Sequence, residues 1–102
     1  MQKGRLGATQ TLSFKATGIG SIPAAATSVV VNLTAVSPSS DGYLVGWGDA
    51  ALQPSNSALN FMRAAPATPI LLYLPVTHGR VDLYNPYGSI DVLADIEGYT
   101  TN

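Results

Sequence analysis

Along this chain apolar side chains return at every second residue in short runs, and glycine, proline, asparagine or aspartate cuts each run off. A period of two is strand spacing, because successive strand residues point to opposite faces, whereas an amphipathic helix repeats near 3.6. Ser28 to Val36 sets the pattern, with Val29, Val31, Leu33 and Ala35 on one face and Val30, Asn32, Thr34 and Val36 on the other. Its β-branched content suits a central strand. From Thr9 to Ala16, Leu12, Phe14 and Ala16 oppose Thr11, Ser13 and Lys15; from Asn56 to Met62, Leu59 and Phe61 oppose Ala58, Asn60 and Met62. Thr68 to Val76 is almost continuously apolar, and Pro69 and Pro75 confine it to an edge or to strand ends, since proline brings no N–H to a ladder.

The breaks carry turn chemistry. Pro38-Ser39-Ser40-Asp41-Gly42 tolerates the positive φ of a tight reversal and predicts a hairpin that returns Tyr43 to Gly48 antiparallel to the strand before it. His78-Gly79 predicts a second hairpin, with His78 as a turn residue, and Asn85-Pro86-Tyr87-Gly88 a third, ahead of a strand from Ser89 to Tyr99. Thr17 to Ala26 reads as a crossover loop with room for one helical turn, and Asp49 to Ser55 as a loop. About seven short strands spaced ~10 residues apart, with no helical period, predict an all-β fold: an antiparallel β-sandwich, jelly-roll or immunoglobulin-like. The expected core is Leu12, Phe14, Val29, Val31, Leu33, Leu59, Phe61, Leu72, Leu83, Val92 and Ile96. At 102 residues, 1–102 is expected to be one sandwich domain.

Charge narrows the partners. Charged residues make up 11% of the chain, against about 25% in an average soluble protein, so the surface must be largely neutral and hydroxylated. Five basic and six acidic residues leave a net charge of -1, with no footprint for nucleic acid. Such weak self-repulsion favours self-association. No run of 18 apolar residues occurs, so no membrane insertion is expected. Met1 to Arg5 lacks the apolar stretch of a signal peptide, and a secretion signal for a parent protein is expected outside this sequence. With no cysteine there is neither a disulfide framework nor a thiolate site.

Several segments in order, Arg5-Leu6-Gly7, Gln10-Thr11-Leu12, Val31-Asn32-Leu33-Thr34-Ala35-Val36, Asp41-Gly42-Tyr43-Leu44, Asn56 to Phe61, Val81 to Asn85 and Asp91 to Tyr99, resemble a β-rich module of secreted actinobacterial proteins. The likeness spans nearly the whole chain, and its segments are specific as a set. In those proteins the module stands in tandem or terminal copies beside peptidase, amidase, glycoside hydrolase and repeat domains. The resemblance implies an accessory module, secreted or at the cell surface, with no catalytic role to transfer. Ile70, where the pattern offers a polar residue, and Glu97, where it offers an apolar one, depart from it.

Catalysis has little to work with. His78 is the single histidine, and no Gly-x-Ser-x-Gly elbow is present, so a nucleophilic triad is not expected. Alternation places Asp91, Asp95 and Glu97 on one face of the last strand, where hard oxygen ligands would suit calcium if loops or water supplied more. The plainer expectation is that these carboxylates are solvated or hydrogen-bonded, with no metal and no cofactor.

The aromatic residues offer more. Tyr43, Val45 and Trp47 share one face and Leu44 takes the other, leaving two alternatives. Turned outward, Tyr43 and Trp47 form a stacking platform beside Asp49, Gln53 and Asn56, suited to sugar C–H faces and hydroxyls. Turned inward, Trp47 anchors the core. Tyr87, at a Pro-Tyr-Gly tip, is expected to be exposed. The expected function is a non-catalytic binding module that attaches an extracellular protein to polysaccharide or another cell-surface glycan, with Tyr43, Trp47, Asp49 and Tyr87 as the candidate site. A structural spacer that meets copies of itself is the alternative.

Overall fold

A computed structural model describes residues 2–48, 58–63, 67–76 and 79–101. Eight strands run through them: β1 (Gln2–Leu6), β2 (Gln10–Lys15), β3 (Ser28–Val36), β4 (Gly42–Gly48), β5 (Leu59–Phe61), β6 (Ala67–Pro75), β7 (Arg80–Asn85) and β8 (Ile90–Thr100). They form two four-stranded sheets, ordered β1-β8-β3-β6 and β2-β7-β4-β5, and every pairing is antiparallel. The fold is therefore all-β and a sandwich. Except between β4 and β5, each strand is followed by one in the opposite sheet, and that order is an eight-stranded jelly roll.

The core lies between the sheets. Phe14, Val29, Val31, Leu33, Leu59, Phe61, Leu83 and Val92 are buried in one apolar cluster, and Leu12, Leu72 and Ile96 pack against it partly exposed. Of the eleven core residues expected from alternation, eight are in the cluster and three lie at its margin. Leu6, Leu44, Val81 and Ile90 complete the layer.

Several expectations are overturned. The eighth strand is β1, whose Lys3-Gly4-Arg5 centre shows no apolar period; its ladder to β8 and buried Leu6 hold it. Ser28–Val36 and Gly42–Gly48 are not a hairpin, because β3 lies between β8 and β6 while β4 lies between β7 and β5. At Ser37 the backbone takes a φ of 51°, and the chain passes to the other sheet. The connections from β6 to β7 and from β7 to β8 are likewise no hairpins, since β6, β7 and β8 alternate between sheets. His78 lies outside the described residues, while Gly79 next to it has a φ of 69°.

The carboxylate face of the last strand is also interrupted. Val30 pairs with Gly98 and Val31 with Ile96, so Glu97 is the extra residue of a β-bulge and leaves the alternation that Asp91 and Asp95 follow. Asp91 instead meets Arg5, 3.3 Å away, and Arg5 also donates to Ser89 Oγ at 2.7 Å. Residues 16–27 form the expected crossover, closed by a bridge between Ile19 and Ile22 rather than by a helical turn.

Candidate functional site

β4 places its bulk on the wrong side for a core strand. Leu44 is fully buried in the core, yet the other positions on its face are Gly42, Gly46 and Gly48. The space there is already taken. A Cβ added at Gly46 would come 3.2 Å from Leu83 Cδ2, and one at Gly42 would come 3.3 Å from the Phe61 ring. Glycine inside a strand weakens it unless something approaches closely, and here core side chains do. The large residues of β4, Tyr43, Val45 and Trp47, therefore stand on the outer face.

This settles the orientation of Trp47. It is only partly buried and is not in the core cluster, so the alternative in which it anchors the core is overturned. The physical reason is the competition for interior volume that Leu83, Leu72 and Phe61 win.

Register builds the rest of the face. One row across the sheet reads Thr11, Tyr84, Val45, and the next reads Ser13, Asp82, Trp47. Tyr43 faces Asn60 across the β4–β5 ladder. Val45 is only 3% exposed although it lies outside the core cluster, so its own side of the sheet is shielded from water. Tyr84 across the ladder and Tyr43 and Trp47 along the strand are its large neighbours there. Tyr87, 57% exposed in the turn after β7, meets Tyr43 edge to face, with centroids 5.8 Å apart and planes at 82°. That geometry is favourable for aromatic pairs.

Polar groups frame the rings. Arg80 is pinned across to β2, its Nε donating to Ser13 Oγ at 3.1 Å and its Nη2 to the Ser13 carbonyl at 3.0 Å. Asp82 is buried beside Trp47 in the same row. Of the residues expected in the site, Tyr43 and Tyr87 are in direct contact, and Trp47 lies four residues along β4 from Tyr43, about 14 Å at strand rise. Asp49, Gln53 and Asn56 lie outside the described residues. Alternation alone did not pick out Tyr84, Arg80 and Asp82, because their membership depends on β7 lying between β2 and β4. The glycines at 42, 46 and 48 were the available signal for the outward turn of β4.

A concavity of about 290 Å³ sits elsewhere, between Ile19–Ile22 and Ala94–Ile96, and another of about 450 Å³ lies on the outer side of the opposite sheet beside Arg5, Val36, Asp91 and Leu93. Rings lying along a sheet can stack on an extended ligand, whereas reaction chemistry calls for convergent groups in a hollow. Among the described residues no three histidine, aspartate or glutamate side chains gather as a metal-ligand set. Comparison with protein-family models, with curated proteins and with solved structures gives no match, so fold and site rest on the chain's own geometry.

Proposed function

We propose that this domain is a non-catalytic binding module of an extracellular protein and that it holds polysaccharide or another cell-surface glycan on the outer face of the β2-β7-β4-β5 sheet. The observation that carries this is the inverted strand β4, glycine inward and Tyr43, Val45 and Trp47 outward. Tyr43 and Trp47 are partly exposed and Tyr87 is exposed, so part of each ring is open to a ligand. A sugar ring offers C–H faces to Trp47, Tyr43 and Tyr87, while Ser13, Arg80 and Asn60 on the same face supply hydrogen-bonding groups for its hydroxyls. Asp49, which follows β4 in sequence, is included in the proposed site. Attachment outside the cell accords with the resemblance to secreted accessory modules and with the neutral surface.

Retention on insoluble polysaccharides and a glycan array test it. Trp47→Ala and Tyr87→Ala should each weaken a specific hit roughly fivefold, equivalent to about 1 kcal/mol per lost stacking partner. Tyr87 is exposed, so its removal leaves the fold intact. Unchanged retention by both variants, or an array without a single hit, would refute the proposal.

A further inference from the structure

The outer face of the β2-β7-β4-β5 sheet carries its charge unevenly. Lys15 and Arg80 stand directly opposite each other in the β2–β7 ladder, on the same side of the sheet as Ser13, Asp82 and Trp47, which form the next row. Side chains so placed have Cβ atoms about 5 Å apart, and like charges at that spacing repel. Arg80 relieves part of this by leaning along the sheet, since both of its bonds go to Ser13, through Nε and Nη2. Nη1 takes part in neither bond, and its two N–H groups and the Lys15 ammonium are donors for an anion.

Neutralising groups are not close at hand. Among the described residues the ion pair is Arg5 with Asp91, on the other sheet, and neither Lys15 nor Arg80 reaches a described carboxylate. Asp82 is only 8% exposed, whereas Lys15 is exposed. A ligand lying on the surface therefore meets the two cations before it meets the buried carboxylate. Asp41 stands at the opposite end of the face, before β4, where its Oδ1 accepts the Arg63 N–H at 2.7 Å.

We infer that the glycan taken by this face is acidic: a sugar ring stacks on Trp47, and a carboxylate borne by its chain accepts hydrogen bonds from Arg80 Nη1 and the Lys15 ammonium. This rests on the glycan reading of the same face and narrows its ligand to uronic-acid polysaccharide. The guanidinium bonded to Ser13 lies two strand spacings, about 10 Å, from the Trp47 backbone in the same row, so a ring on Trp47 and the next unit of its chain span the two groups. Two bonds to Ser13 orient the guanidinium beforehand, and little freedom is lost when an anion docks. A carboxylate attached to the sugar ring keeps a fixed distance from the stacking surface, as two fixed protein groups require; a phosphodiester between units does not. Nucleic acid also offers phosphates, but two cations on a chain of net charge -1 give little to follow its backbone with.

A glycan array that carries uronic-acid oligosaccharides beside their methyl esters, neutral chains, phosphodiester glycans and a DNA oligonucleotide tests this on the full chain. Uronates should bind, and esterification should weaken them about tenfold, the effect of losing charge-assisted hydrogen bonds. Lys15→Gln and Arg80→Gln should each weaken the uronate hit about fivefold while leaving the methyl ester unchanged. Arg80→Lys keeps the charge without the fork and should fall between the parent and Arg80→Gln; it also serves should Arg80→Gln unfold. Arg5→Gln, the same loss of charge on the other sheet, should change neither ligand, which separates a local contact from net charge. Hits confined to neutral chains would overturn this inference and leave the glycan reading standing, whereas an array without a hit would overturn both. Equal binding of acid and ester, tighter binding of the phosphodiester glycan or the DNA, or an unchanged preference in Lys15→Gln and Arg80→Gln would also overturn it.

Discussion

Asn85 shows how one side chain can fasten several loops. It is fully buried at the end of β7, and the two N–H groups of its Nδ2 are shared among the carbonyls of Leu6 at 3.3 Å, Gly7 at 3.2 Å and Gly88 at 3.0 Å. Two chain reversals, β1 to β2 and β7 to β8, are thereby tied to one amide. Its Oδ1 has no hydrogen-bond partner, a cost that the three donations must outweigh. Gly88 completes the corner with a φ of 62°, where a Cβ would meet Ser40 Oγ at 2.5 Å and Ser39 Oγ at 2.6 Å. Asn85→Ala leaves three carbonyls short of a donor and should lower stability by about 3 kcal/mol, read from the urea midpoint. Asn85→Asp should be worse, since it removes the donors and buries a charge. A loss below about 1 kcal/mol in Asn85→Ala would show that water replaces the amide readily.

Among the elements, β6 shows how an exposed strand avoids becoming a template. It borders only β3, so its far side is an open sheet edge. Pro69 pairs with Thr34 and Pro75 with Ser28, and a residue without an N–H fits a ladder only where its backbone turns away from the neighbour. Leu71 and Tyr73 share that outward parity, and the two prolines limit the donors an incoming strand would find. Replacing both prolines by threonine should yield a chain that folds but forms thioflavin-positive aggregates on incubation, while the parent stays clear; equal behaviour of the two would contradict this role. The strands themselves were legible because alternation is a local property: β3 matches its sequence boundaries, and β2, β4, β6 and β8 shift only slightly. β1 was hidden because Gly4 and two cations interrupt any period, and the bulge at Glu97 was hidden because an extra residue becomes visible only against a partner strand. Of the site, the outward turn of β4 was written in its glycines, whereas the contribution of β7 required knowledge of which strands adjoin.

At the scale of the whole molecule that knowledge is what the chain withholds. Turn residues report that the backbone reverses, and the same chemistry serves a hairpin or a crossing between sheets, so three reversals with hairpin signals proved to be crossings. The ladders join distant segments: Gln2 faces Ala94, and Gln10 faces Asn85. Closing such loops costs entropy before the contacts repay it, so refolding should take milliseconds to seconds, followed by stopped-flow fluorescence of Trp47, the single tryptophan. Completion within microseconds would contradict a rate set by this topology. The two sheets also turn their outer surfaces in opposite directions, with Tyr43, Trp47 and Tyr84 on one side and Leu71, Tyr73 and the Arg5–Asp91 pair on the other. A glycan bound as proposed on the ring-bearing side would leave the opposite sheet turned away from the matrix.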